Sequence, residues 1–336
     1  MNRRDSLLAL LALGTAAGPR IATPQTSPRI PTLGYLSLAS APSGDQWGLT
    51  PFATRLKELG WVEGRNIRIE RAYAARKEVQ LRVLAADLVR KKVDVIYTLG
   101  PEPAIAATQA TKTIPIVFFG PTLPVEMGLV DSYARPGRNV TGVAWSAGVE
   151  LYLKLLQYVK ELAPAATRVA YLAPRSPMGG QDNSYRIETT RQIVAAAKKI
   201  RLELRPFPVA GPEDFAPAFK AIQAWRPQAI YATQNPITGP EAQRIVDFAN
   251  TNRVPGFYDG RIFTEAGGLF SYGPEITSSI RQAVDQIDRI LRGARPADLP
   301  VQMPTRYEMV INRKTAAALG IKIPQALLVR ADEVIQ

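Results

Sequence analysis

Histidine and cysteine are both missing from the 336 residues of this chain. Their absence removes imidazole general bases, thiolate nucleophiles, zinc sites built on either ligand, disulfides and thiol redox pairs. A chain without cysteine also lacks the acceptor for an N-terminal lipid anchor, so an exported product is expected to be unlipidated. Neither a G-x-x-x-x-G-K-[ST] pattern nor a G-x-G-x-x-G after a strand occurs, which removes the usual phosphate cradles of nucleotide sites. No acidic residues fall at metal-ligand spacing, and no cofactor is expected. Past the N-terminal segment, no run of roughly 18 uninterrupted apolar residues occurs, so no later membrane span is expected.

What the chain does contain is ordinary for a globular protein, with 46% hydrophobic and 21% charged residues. The formal net charge of +13 raises the question of nucleic acid or an anionic membrane. The distribution argues against both. Basic residues such as Arg55, Lys57, Arg82, Lys154 and Arg191 are scattered through helices, and the tight run Arg90-Lys91-Lys92 falls at a helix end, where it complements the dipole. No basic stripe with interleaved aromatics is present, and no nucleic-acid partner is expected.

Residues 1–28 read as a signal peptide and linker. Arg3 and Arg4 precede an apolar run from Leu7 to Ala17, too short for a stable span, and Thr15, Ala16 and Ala17 supply small residues for cleavage. The segment NRRDSLLAL touches the twin-arginine pattern, with an ordinary Sec signal as the alternative. A buried N-terminal helix is the competing structural reading, opposed by the proline-rich stretch that follows.

From Pro31 onward short apolar strands alternate with amphipathic helices, the signature of βαβ units and a parallel sheet, and the alternation occurs twice. The fold class expected is α/β, with two Rossmann-like lobes whose parallel sheets are joined by a multi-stranded hinge. The first set runs from Leu33–Leu38 through helices near 52–59 and 79–90 to IPIVFF at 114–119. The second runs from a helix at 149–162 through RVAYLA, LELRPFPV and a helix at 215–225 to AIYATQN. Crossings between lobes are expected at ARPGRNVTGVAW, within Ala266–Pro274, and after LRGARPADLP, where YEMVI returns. This assigns residues 30–143 plus 266–300 to the N-terminal lobe, and 144–265 plus 301–336 to the C-terminal lobe.

In such a sheet the carboxyl ends of the strands face the crevice. Ser37 and Ser40 follow the first strand, and Thr98 and Gly100 follow the third, beside a helix start near Pro101 whose free N–H groups would suit a carboxylate. Turn formation alone also explains Ser, Thr and Gly there. Glu102 and Asp259 each follow a strand on the cleft side and are placed to hold a ligand ammonium, whereas most other loop carboxylates are expected to be solvated or to cap helices. Phe119, Tyr258 and Tyr272 fall at or beyond strand ends, where a planar ligand could be sandwiched; Phe118, Tyr171 and Phe207 lie inside strands and read as core. Ala144-Trp145-Ser146-Ala147-Gly148 is a poor nucleophile elbow: its first position is Ala, the chain has no His, and Ser146 reads instead as a helix cap with Glu150.

Five segments, LKELGWVEGRNIRIE, LAADLVRKKVDVIYTLG, ATKTIPIVF, GLVDSYARPGRNVTG and EAGGLFSYGP, resemble the ABC transporter substrate-binding protein family that includes tryptophan- and tyrosine-type transport components, a branch of type I periplasmic binding proteins. The likeness covers nearly everything after Pro31. It implies a ligand in the cleft and delivery to a membrane permease driven by a separate ATPase, with Ser40, Thr98, Gly100, Phe119, Pro174, Asn235, Tyr258 and Tyr272 as cleft-lining positions. Two stretches depart from the family pattern: Pro101-Glu102-Pro103 replaces a small hydroxyl residue and Pro, and Thr122-Leu123-Pro124-Val125 replaces Gly-Asp-Pro-Val. The expectation is a monomeric, exported, periplasmic solute receptor for an amino-acid-like or aromatic molecule, without catalysis. The alternatives are a ligand-binding subunit of a periplasmic sensor or chemoreceptor system, and an α/β enzyme working with carboxylates alone.

Overall fold

Two doubly wound sheets lie in one unit of the chain, Pro31–Gln336. The computed structural model describes residues 29–41, 47, 50–146, 149–175 and 184–336; the proposed signal segment falls outside them. The first sheet contains β1 (Thr32–Ser37), β2 (Arg68–Tyr73), β3 (Val95–Leu99), β4 (Ile116–Phe119) and β5 (Val140–Val143) in the order β2-β1-β3-β4-β5. Every neighbouring pair in it is parallel. Three helices connect its strands: α1 (Pro51–Glu58), α2 (Val79–Arg90) and α3 (Pro101–Ala110). Thr50 caps α1 by accepting the Ala53 N–H at 3.2 Å, with Pro51 in the first helical position. On α2 the buried Leu81, Ala85 and Leu88 recur at helical spacing and face the sheet.

The second lobe repeats the plan. Its elements are α4 (Glu150–Leu162), β6 (Arg168–Pro174), α5 (Ser184–Lys199), β7 (Glu203–Val209), α6 (Phe215–Trp225), β8 (Ala229–Ala232), α7 (Ala242–Thr251), β9 (Gly256–Tyr258), α8 (Arg261–Glu265) and β10 (Phe270–Pro274). The strand order β10-β9-β8-β6-β7 reproduces the winding of the first sheet, with a reversal between β6 and β8 matching that between β1 and β3. The chain then forms α9 (Ile276–Leu291), followed by β11 (Tyr307–Asn312), α10 (Arg313–Leu319), α11 (Gln325–Arg330) and β12 (Glu333–Ile335). Strands β11 and β12 extend the second sheet to seven strands.

Two details differ from the sequence reading. Strand β10 pairs with β9 and β11 in the second sheet, so the crossing falls after Pro274 and not within Ala266–Pro274. The sheet is also not uniformly parallel, because β11 runs antiparallel to β10. Both follow from one fact. Strand β10 ends at the lobe junction, and β11 begins there on the chain's return, so Tyr307 pairs with Pro274 and the strand must run back.

Helix α9 belongs to the first lobe. Its buried Ala283, Val284, Ile287 and Ile290 join Leu33, Val95, Val117 and Phe52 in one core cluster. Its polar edge meets α1 and the turn after it, through Arg55 to Asp285 at 2.7 Å, Arg281 to Glu58 at 2.6 Å, and the Trp61 indole N–H to Asp288 at 2.8 Å. Glu275, in the crossing, caps α9 by accepting the N–H groups of Thr277 and Ser278, each at 2.9 Å.

The three crossings are tied to one another. The Ala144 N–H donates to the Gln302 carbonyl at 2.9 Å and the Gln302 N–H to the Gly142 carbonyl at 2.9 Å, while the Glu275 N–H donates to Arg306 at 3.0 Å. Ile287 is fully buried in the α9 stripe, so Ile287→Ala should cost about 2–5 kcal/mol of stability. Urea unfolding followed by circular dichroism checks this, and an unchanged midpoint would show that α9 does not complete the first core.

Candidate functional site

Strand order reverses at β1/β3 and β6/β8, and ligands of open α/β sheets bind outside the carboxyl ends of the strands at such reversals. The structure gathers a polar group there that draws on both lobes. Asp259 follows β9 and is 1% exposed. One of its oxygens accepts the backbone N–H of Gln234, which follows β8, and the other accepts the indole N–H of Trp145, which follows β5, at 3.3 Å. Gly273 on β10 makes room for this loop: a Cβ there would stand 1.8 Å from the Asp259 carbonyl oxygen.

The hydrogen-bond donors to Asp259 among the described residues are neutral. Burial pushes its carboxyl up to about 7, against the opposing pull of the Gln234 and Trp145 hydrogen bonds. The Asp259 charge is also felt by Tyr152, Tyr171 and Tyr231, whose phenols are raised first by burial. Tyr171 on β6 stacks on Tyr231 on β8 at 5.0 Å, and Tyr152 on α4 meets Tyr231 edge-on at 6.4 Å. The Tyr152 hydroxyl reaches Thr122, beyond β4, at 3.1 Å. The Tyr231 hydroxyl and Gln234 Oε1 are buried without hydrogen-bond partners among the described residues.

The sequence-predicted residues fall into different places. Thr98 ends fully buried, its hydroxyl without a partner among the described residues. Phe119 lies 6.0 Å from the Trp145 ring, which brings it to the Asp259 side of the first lobe. Gly100 has φ of 103° and donates its N–H to the Phe119 carbonyl at 2.8 Å; the approach of Gly120 to Gly100 is so close that a Cβ on Gly120 would lie 3.3 Å from the Gly100 Cα. Pro174 is half-buried at the end of β6.

Ser37 is buried and accepts the Ala39 N–H at 3.2 Å, and Ser40 is exposed beyond it. Asn235 serves its own turn: its carbonyl accepts from Ile237 at 2.8 Å and Thr238 at 3.1 Å, and its amide donates to Thr233 at 3.0 Å. Tyr258 points into the core, stacked on Phe263 at 4.5 Å. The alternation of side chains along β9 is the reason, because Phe257 takes the opposite face. Tyr272 is half-buried between Tyr158 at 5.3 Å and Tyr307 at 5.8 Å. Glu102 is not open to an ammonium through Oε1, which accepts from Tyr185 and Arg186 on α5. Ser146 is buried but is not the cap of α4; Val149 holds that position without a side-chain hydrogen bond.

Sequence reasoning missed Trp145, Tyr152, Tyr231 and Gln234. Tyr231 and Tyr152 lie inside a strand and a helix and not at strand ends. The available signal was polarity, since a tyrosine hydroxyl in an otherwise apolar strand such as AIYA needs a partner.

The family model for ABC transporter substrate binding protein matches residues 47–335. The chain belongs to this family. A relative described as a tyrosine-binding protein, from Clostridioides difficile strain R20291, is 26% identical over 290 residues, covering 86% of this chain and 81% of the relative. The crystal structure of a conserved domain protein from Vibrio cholerae is 27% identical with a TM-score of 0.80, over 91% of this chain and all of the other. A Streptococcus pneumoniae ABC domain in complex with L-Trp is 24% identical, with a TM-score of 0.80 over 91% of this chain and all of the other. The fold is α/β with two mostly parallel sheets.

A carboxyl raised by burial keeps its proton in the native state after the unfolded chain has lost it, so Asp259 lowers stability as pH climbs from about 4 to about 7. Tyr152, Tyr171 and Tyr231 titrate above that window. Across the window the ligand-free protein should lose on the order of a few kcal/mol relative to Asp259→Asn. Unfolding free energies of both proteins at about pH 4.5 and 7.5 measure it, and a difference that does not change with pH would refute the raised value.

Proposed function

We propose that this chain is the exported, monomeric, periplasmic receptor of an ABC importer. It binds a small amino-acid-like or aromatic molecule in the interlobe crevice and delivers it unaltered to a membrane permease driven by a separate ATPase. The observation that carries this reading is Asp259, a buried strand-end carboxylate whose hydrogen-bond donors, Gln234 and Trp145, are both neutral. Among the described residues no cation pairs with Asp259; a buried carboxylate in that state is costly, and a ligand ammonium relieves that cost with a charge-assisted hydrogen bond. Trp145, Tyr152 and Tyr231 bring aromatic surface to the same place, where a planar group gains apolar contact and an ammonium gains attraction to ring faces.

The relatives named for tyrosine binding and crystallised with L-Trp support the choice of an amine-bearing, aromatic class. Transport without turnover agrees with the membership of the substrate-binding family and with a chain that has no imidazole or thiol. The N-terminal Arg3-Arg4 and apolar run Leu7–Ala17 support export through Sec or Tat, and a cysteine-free chain supports an unlipidated product.

Screening amino acids, aromatic acids and aromatic amines by thermal shift should find a stabilising compound, because ligands that bind only the native state raise its melting temperature. Asp259→Asn should weaken that compound by roughly 10- to 100-fold, about 1.4–3 kcal/mol. Titration calorimetry reads this, with mass spectrometry of the recovered compound. Full affinity in the variant removes Asp259 from the site, and chemical conversion of the compound ends the transport reading.

A further inference from the structure

The first turn of α3 is short of donors for an anion. Pro101 and Pro103 carry no N–H, and the Gly100 N–H is already bonded to the Phe119 carbonyl at 2.8 Å. Three of the donors that a helix start and its preceding turn would offer are therefore missing or spent. Between the two prolines stands a carboxylate, Glu102, at 3% exposure. Its Oε2 has no hydrogen-bond partner among the described residues and lies 3.7 Å from where a Gly100 Cβ would be, so the negative group sits over the strand-end turn itself. Its Oε1 accepts from the Tyr185 hydroxyl and the Arg186 guanidinium, both on α5 of the opposite lobe. Arg186 is 6% exposed, which makes the contact a buried ion pair across the lobes.

Resting on the reading of the crevice given above, we propose that Glu102 is a specificity residue. It is the protein's own carboxylate in the place where a ligand carboxylate would be held, and the ligand is accordingly an organic amine with no α-carboxylate. A zwitterionic amino acid needs a cation place and an anion place. Asp259 offers the first. At the α3 end an incoming carboxylate meets the like charge of Glu102 and a helix start short of donors. Arg186 donates to Glu102 through one Nη while its Nε is buried without a hydrogen-bond partner among the described residues, and drawing the guanidinium away to a ligand anion would leave the buried Glu102 carboxylate unpaired. Among the described residues Arg76 also reaches across the lobes, and it pairs with Glu241 at 3.5 Å. The Glu102 contact with Tyr185 and Arg186 also joins the lobes, so closure at this end does not require an anion from the ligand.

Calorimetric titration of the signal-free chain with amine and amino-acid pairs differing only by the carboxylate tests this: tyramine with tyrosine, tryptamine with tryptophan, and agmatine with arginine. At least one amine is expected to bind tenfold or more tightly than its amino acid. Glu102→Ser should narrow that ratio, Glu102→Gln should narrow it while keeping an acceptor for Tyr185, and Asp259→Asn should weaken the amine. An amino acid that binds as tightly as its amine to the unmodified protein overturns the proposal whatever the variants do. If that binding is lost in Asp259→Asn, the crevice reading survives and the role of Glu102 alone falls. Binding of neither member of any pair counts against both.

Discussion

The arrangement depends on the constraint that both sheets are wound in the same sense and present the carboxyl ends of their strands to one opening. Parallel pairing leaves the loops after β1, β3 and β4 on one edge of the first sheet, and those after β6, β8 and β9 on one edge of the second. Asp259, Gln234, Trp145 and Thr122 are far apart in sequence and meet only because each follows a strand. The crossings that join the lobes are bonded to one another through Gly142, Ala144 and Gln302, and through Glu275 and Arg306. A set of linked extended crossings of this kind suits lobes that turn as bodies about a ligand.

The two carboxylates at this opening are treated differently by their surroundings. Glu102 is met by a guanidinium from the other lobe, which offsets the cost of taking its charge out of water. Among the described residues Asp259 is met by neutral donors, and burial raises its carboxyl. One charge has a guanidinium partner within the protein and, among the described residues, the other has none. That asymmetry links the architecture to the kind of molecule the crevice receives.

Much of the fold was legible along the chain because its signals are local. The spacing of Leu81, Ala85 and Leu88 and the apolar run Ile116–Phe119 mark a helix and a central strand without reference to anything distant. The lobe boundary at Ala266–Pro274 was harder, since the strand pattern of LFSYGP is the same whether it crosses or pairs, and only the ladder with β11 shows which. Asp259 and Glu102 stood out as acidic residues after strands. Tyr258 did not behave as a strand-end position suggests, because which face a side chain takes depends on the register of β9 against β8 and β10.

By itself the sequence determined the class of fold, the number of lobes, the exclusion of imidazole and thiol chemistry, and the family, all of which rest on composition, short-range periodicity and contiguous motifs. Only the tertiary structure decided what each candidate does. It turned Tyr258 into the core, spent Asn235 on its own turn, gave Glu102 to Arg186 and left Asp259 with Trp145 and Gln234. The physical reason is that a polar group's role depends on its partners. For Glu102 and Asp259 these partners are supplied by segments tens to more than a hundred residues away, which no local pattern encodes.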